Sequence, residues 1–449
     1  MRVRWAVFFL LAICWAVPDV RSETSNCAPL AESSASSLTI EIAEARLDRC
    51  NRDILAAYRT VEAATADRMT AGQRANPTLT LGANNINPRI GIGSGNLRDK
   101  TIDSSVRLEQ LFERGGKLDK RQRQYDALLA ASRSDLAEVR RLQRLATRSA
   151  YFDLAVAQAR RRLTQEATAL FAQTLTAAEK RQRAGDIAPA DVNRIKLDAA
   201  RAGNDARQAE ADSKRLQIEL AKLIGIDRYA QQLTLKFAVP HEDATAAETE
   251  ISDALFASRG DVSAARQRVA AAEAARDLAL SSSTRDWTVA VQFDRWPVSE
   301  ANPQGTGNSF GFSLSVPLFL HHANEGEKRR AQVDFDTARD MLARQMALAR
   351  AEAALSHAEY AAAAEKMQRV ERDILPVAQE VARAAEFAYN KGATGVLDLL
   401  DARRSLRQVQ VDAVSAQGEF ARAWARWKSV LEAASNIATD SAGDIHEMP

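Results

Sequence analysis

No stretch of this chain is apolar for long enough to cross a bilayer as a helix, which takes about twenty residues. The nearest approach runs from Trp5 to Val17, behind Arg2 and Arg4 and ahead of the small residues Val20 and Ser22. A short apolar run placed in this way predicts a cleaved secretory leader over residues 1–22, in preference to a buried N-terminal helix. Excess charge is equally scarce: the formal net charge is +2, and Arg2, Arg4 and Arg21 against Asp19 account for it within the leader. The remainder is close to neutral, which excludes a dedicated nucleic-acid binder. Of three cysteines, Cys14 leaves with the leader. Cys27 and Cys50 then form a candidate disulfide in an oxidising compartment, tying the N-terminal tail to the first helix. The rival reading, a lipid anchor at Cys27, is disfavoured because "TSNC" lacks the Leu and small residues of a lipidation signal.

Catalytic patterns are missing as well. The Gly-rich "GIGSGN" opens no helix, so it is a loop rather than a phosphate cradle. No grouping of Ser, Cys and His suggests a nucleophile. His321 and His322 are adjacent near a strand end, where their side chains would diverge, so they read as a polar collar rather than a metal site. Neither an enzyme nor a cofactor is expected.

What the chain has instead is a repeat. "QRAGDIAPADVNRIKLDA" and "YNKGATGVLDLLDARRSL" align Gly185 with Gly392, Asp191 with Asp398 and Val192 with Leu399, each pair 207 residues apart. Between Lys117 and Ala184 there is neither Gly nor Pro, and Leu129, Leu136, Val139 and Leu142 recur at helical spacing. A helix of about 65 residues would be roughly 100 Å long, far beyond the needs of a globular core. The feature returns from Glu327 to Lys391, interrupted only by Pro376. Each long helix meets a glycine turn, at Gly185 or Gly392, and a further helix follows, Pro189 to Ile224 or Val396 to Ile437. The two turns are thus the tips of long helical hairpins at one end of the molecule.

Ahead of each hairpin the period changes to two. Leu79, Leu81 and Ala83 share a face; Val106 and Leu108 alternate with Arg107 and Glu109. Trp287, Val289, Val291 and Phe293 alternate with Thr288, Ala290 and Gln292, and Phe310, Phe312, Leu314 and Val316 with Gly311, Ser313 and Ser315. Leu111-Phe112 matches Leu318-Phe319, again 207 apart. Strands of about ten residues suit a tilted bilayer crossing, and the long Gly/Asn/Pro-rich connections suit external loops. The competing picture, ordinary hairpins packed on helices, explains the alternation but not the strand length or the leader. Four strands cannot close a membrane barrel and an open edge is not tolerated in lipid, so copies must share it. Geometry alone allows a dimer of eight strands or a trimer of twelve.

The order of helix, strand pair, long helix, "RAGDIAPADV" tip and returning helix, then its repetition ending in "YNKGATGVLDLLDARRSL", resembles the TolC-type outer-membrane efflux factors over essentially the whole chain after the leader. "LTIEIAEARLDRCNRDILAAYRTVEAA", "ANPTLTLGANNINP" and "RLEQLFERGGKLDKR" are similar to its heavy-metal, CzcC-like branch. The resemblance implies a mainly α fold with a β-barrel portion: a homotrimer whose twelve-stranded outer-membrane barrel continues as a periplasmic helical tunnel. It implies a first repeat over residues 23–225, an equatorial linker over 226–252, a second repeat over 253–437 and a tail over 438–449. The implied partners are a periplasmic membrane-fusion adaptor and an inner-membrane pump of the proton-driven RND class.

Site residues follow from the same resemblance. Asp398 and Asp401, three apart on one helix face, match aspartates that ring the closed pore. Repeated around a threefold axis, such a ring would favour cations. The alternative is solvated acids stabilised by a helix start. Asp191 and Tyr389 match positions that link neighbouring helices. Thr394 stands where some members carry an Arg, which would either weaken that network or shift it to Arg403 or Arg194; Tyr389 as a packed helix-end aromatic is the plainer reading. The adaptor would meet Gly185, Asp186, Ile187 and Ala188 at one tip and Gly392, Ala393, Thr394, Gly395, Val396 and Leu397 at the other. The expected function is a passive exit duct for divalent heavy-metal ions. Drug or organic-solute efflux and type I protein secretion are alternatives, and a poreless periplasmic coiled-coil scaffold is the rival of another class.

Overall fold

The computed structural model describes residues 38–84, 102–226, 233–235, 256–296 and 307–435. The leader, Cys27, the strand connections at 85–101 and 297–306, most of the 226–252 linker and the tail lie outside the described residues. Among the described residues the order is α1 (Ile40–Cys50), α2 (Arg52–Ala71), β1 (Thr78–Asn84), β2 (Asp103–Phe112), α3 (Lys117–Arg183) and α4 (Pro189–Leu223). There follow α5 (Gly260–Ser281), β3 (Trp287–Trp296), β4 (Gly307–Ser315), α6 (Glu325–Arg369), a π turn (Val370–Ile374), α7 (Leu375–Asn390) and α8 (Val396–Ser435).

Two long helical rods dominate. α3 runs unbroken for 67 residues. Its counterpart, α6 through α7, ends at Asn390, 207 residues after Arg183, but contains Pro376. A proline inside a helix lacks an N–H and clashes with the carbonyl four residues back. The chain meets this with the π turn, in which Leu375 N–H donates to Val370 O, five residues back. The rod therefore continues instead of breaking. Both rods are entered through a left-handed residue, Gly116 at φ 67° and Asn324 at φ 61°. Gly and Asn are the residue types that reach this conformation most readily.

The strands form one antiparallel sheet, β1-β2-β3-β4, with β1 and β4 at its free edges. The register carries the alternation across all four strands. Leu79, Leu108, Val291 and Phe312 fall in one row, and Leu81, Val106, Phe293 and Phe310 in the next. The row between them is Thr80, Arg107, Gln292 and Gly311. Side chains alternate faces along a strand, so one face is apolar and the other polar.

The rods are tied at a waist. Leu38, Tyr151, Phe152, Leu154, Leu220, Ile224 and Leu233 form one buried cluster there, and Phe256, Val262, Tyr360, Phe420 and Trp427 another. Asn51 is the hinge pin of the first: it caps α2 by accepting from Asp53 N and Ile54 N at 2.9 and 3.0 Å, and donates to Leu223 O at 2.9 Å. Gln158 and Gln217 both donate to Leu233 O, at 2.8 and 2.9 Å, which pins the short linker segment to the waist. Cys50 is disulfide-bonded, while Cys27, its expected partner, lies outside the described residues. Arg148, buried on α3, reaches Glu44 on α1 and Glu432 on α8. Burial disfavours its charge, but the hydrogen bonds and charges of Glu44 and Glu432 outweigh that and hold its pKa above the usual arginine range.

Candidate functional site

The hairpin tips are built alike, residue for residue. After α3, Gly185 N donates to Gln182 O at 3.0 Å and Asp186 N to Arg181 O at 2.9 Å. After α7, Gly392 N donates to Tyr389 O at 3.0 Å and Ala393 N to Ala388 O at 2.9 Å. This is the Schellman arrangement, with a left-handed glycine that closes the last helical carbonyls. Gly185 has φ 84° and Gly392 φ 73°, and a Cβ at either would meet nothing within 4 Å. It is the backbone turn that asks for glycine here.

The next helix starts the same way at both tips. Ala188 precedes Pro189 at the start of α4, and Asp191 lies in the first turn; Asp398 lies in the first turn of α8. An acid there meets the partial positive charge of the helix start. Asp186, Ala393, Thr394, Gly395 and Leu397 are exposed, whereas Ile187 and Val396 pack against a buried cluster of Phe171, Val192, Ile195 and Leu400. That cluster joins the two tips into one unit.

The predicted gate residues divide. Asp398 is exposed, and no ion pair engages it among the described residues. Asp401 is exposed too, but Arg404, one turn on, donates to it at 2.8 Å. Arg404 also binds Asp198 of α4, whose side chain is buried. Asp191 and Tyr389 are not brought together within the chain. Asp191 pairs with Arg194 of its own helix at 3.5 Å. Tyr389 accepts from Arg181 at 2.6 Å, with the guanidinium 5.6 Å from its ring, so it joins α7 to α3. Arg403 donates to Thr174 at 3.1 Å and to Glu386 at 3.1 Å, tying α8 to both rods. Arg181, Asp198 and Arg404 escaped the sequence reading. The one local signal was the three-residue spacing of Asp401 and Arg404.

At the other end the sheet offers two surfaces of opposite character. Phe310 and Phe312 are 85% and 72% exposed and Leu81 is 71% exposed, a degree of apolar exposure along whole rows that water does not favour. On the polar face Arg107 donates to Glu109 at 3.2 Å and to Gln292 at 3.3 Å, and Gln292 donates on to Asp294 at 2.8 Å. No described helix is long and apolar enough to cross a membrane. Among the described residues no group of His, Cys, Asp or Glu could hold a metal ion, and His321 and His322 are both exposed.

The chain is 25% identical over 411 residues to the cobalt-zinc-cadmium resistance protein CzcC of Cupriavidus metallidurans, covering 90% of this chain and 92% of that one. Its fold is similar to the outer-membrane channel OprN, with a TM-score of 0.70 and 21% identity over 87% of this chain and 89% of that one. It is also similar to CusC, with a TM-score of 0.72 and 16% identity over 91% and 95% of the two chains. These relatives are channel or resistance proteins rather than enzymes. The sequence profile of the outer membrane efflux proteins matches residues 45–226 and 251–431, so that both hairpins and the sheet fall within it. The chain therefore belongs to the outer membrane efflux protein family, and it forms an efflux channel in the outer membrane with a helical tunnel on the periplasmic side.

Proposed function

We propose that three copies of this chain close one duct, and that its cargo is divalent heavy-metal cations. The observation that carries the sharing of one duct between copies is the sheet: two free edges, one apolar face and one polar face. Unpaired backbone groups cost several kcal/mol each in lipid, so β4 of one copy pairs with β1 of the next around a polar lumen; the choice of three copies, and so of twelve strands, follows the family and not the geometry. The cargo rests on the likeness to CzcC along nearly the whole chain. The two repeats, over 23–225 and 253–437, then act as pseudo-equivalent halves of each copy.

Movement through the duct is passive. A periplasmic adaptor meets the tips around Gly185–Ala188 and Gly392–Leu397, and an inner-membrane pump of the RND class supplies the energy. Asp398, repeated around the threefold axis, gives the periplasmic mouth its preference for cations, with Asp401 in a supporting part. The test is the tolerance of a deletion strain to zinc, cobalt, cadmium, nickel and copper, set beside a panel of drugs. Sensitivity to metals alone, reversed by the intact gene, supports the cargo. Sensitivity to drugs alone keeps the duct and removes the metals.

A further inference from the structure

The apolar face of the sheet ends in aromatic residues where it approaches the helices. Phe112 pairs with Trp287 across β2 and β3, and Leu318, Phe319 and Leu320 follow β4. Phe112 and Trp287 are 52% and 40% exposed, and Leu318 and Leu320 more so. Over two of these rings stand arginines. The Arg114 guanidinium lies 4.0 Å from the centre of Trp287, and that of Arg285 lies 5.4 Å from the centre of Phe319.

The nearby acids are already engaged. Asp286 accepts the backbone N–H of Arg114 at 2.9 Å and the Lys117 ammonium at 2.7 Å. Glu113 receives two bonds from Arg121, at 2.7 and 3.1 Å. Glu325 accepts the Ala323 N–H at 3.0 Å. Lys117 and Arg121 are thereby neutralised, whereas no carboxylate pairs with Arg114 or Arg285 among the described residues. Both side chains are exposed. A guanidinium attracted to a ring still keeps its N–H donors for an anion, and its planar fork fits a phosphate. An aromatic edge that ends an apolar wall marks the level of the lipid headgroups.

The geometry points to a binding site for an anionic phospholipid of the periplasmic leaflet. Its phosphate sits on Arg114 and Arg285, and its acyl chains lie along Phe112, Trp287 and Leu318. This rests on the reading of the apolar face as the lipid-facing wall. The chemistry selects an anionic lipid over a zwitterionic one because two guanidinium charges stand uncompensated at the same rim.

The test uses the full-length protein in vesicles of phosphatidylcholine, with either brominated phosphatidylglycerol or brominated phosphatidylcholine mixed in at one fixed fraction. Bromine quenches tryptophan on contact, and a Trp287→Phe variant subtracts the signal of the other tryptophans. The expected result is stronger quenching of Trp287 by the brominated phosphatidylglycerol. The preference should be on the order of fivefold in relative affinity for each cation at low salt. It should vanish in Arg114→Gln/Arg285→Gln and persist in Arg114→Lys/Arg285→Lys. Equal quenching by both lipids in the natural protein, or a preference that survives the Gln pair, overturns the site while leaving the membrane wall standing. Absence of quenching by either lipid overturns the wall itself, and the site with it. The comparison of the two lipids needs only the natural protein and Trp287→Phe, both of which keep the two arginines, so poor insertion of the Gln pair does not blunt it.

Discussion

Arg404 on α8 binds the carboxylate of Asp198 on α4, and this contact reaches from the second hairpin to the first. Asp198 is 6% exposed, so Arg404 takes the place of water at its carboxylate. A second rung, Arg407 to Asp205 at 2.7 Å, lies further along the same pair of helices. Arg404→Ala would leave a buried acceptor unpaired, at a cost of roughly 1–3 kcal/mol. The expected outcome is a lower melting temperature in detergent, partly restored in Arg404→Ala/Asp198→Ala. Equal melting of the natural protein and the single variant would show that the contact does not hold the tips together.

Arg404 also sets unequal roles for the two aspartates of the mouth. It stands against Asp401 as a counter-charge, whereas no cation pairs with Asp398 among the described residues. In planar bilayers Asp398→Ala should therefore raise conductance and weaken block by multivalent cations more than Asp401→Ala does. The double variant should resemble Asp398→Ala. If the two single variants act alike, Arg404 does not screen Asp401; if neither acts, the carboxylate ring is absent.

Much of this architecture was legible from short-range pattern. Alternation at Val106–Leu108 and Trp287–Phe293 is a local property, and the observed register lines those rows up as the alternation requires. Gly185 and Gly392 were legible because a left-handed helix end selects glycine at one position. The cross-helix contacts were not. Arg181 meets Tyr389, and Arg404 meets Asp198, only because the helices pack at a particular rotation about their axes, which no local pattern encodes. Arg403 illustrates the same limit, since its partners Thr174 and Glu386 lie on other helices; Asp191, by contrast, pairs with Arg194 three residues on, a spacing the sequence does display. Pro376 was visible as an interruption, but not the π turn that absorbs it.

The matched tips make a symmetric prediction. A Cβ at Gly185 or Gly392 meets no neighbour, so the cost of alanine is that of the left-handed backbone alone, about 1–2 kcal/mol. Gly185→Ala and Gly392→Ala should lower thermal stability by similar amounts, and Asn at either position by less. A much larger loss at one tip would reveal a contact there, such as a neighbouring subunit's, beyond the backbone strain.

The waist supplies a pH-dependent term. Tyr151 is buried and donates its hydroxyl to Leu38 O at 3.2 Å. Burial, with a smaller contribution from the charge of Glu41, pushes its pKa up to about 12. An unfolded tyrosine titrates near 10, so the folded protein holds this proton longer. The stabilisation is whole below pH of about 10 and is lost as pH rises towards about 12. Melting temperatures of the natural protein and Tyr151→Phe, measured across that window, isolate the effect from other alkaline titrations common to both. The advantage of the natural protein should shrink by a few degrees between pH of about 10 and about 12, since phenylalanine has no proton to lose. A constant difference across the window would mean that Tyr151 titrates as freely folded as unfolded, and that the contact with Leu38 does not protect it.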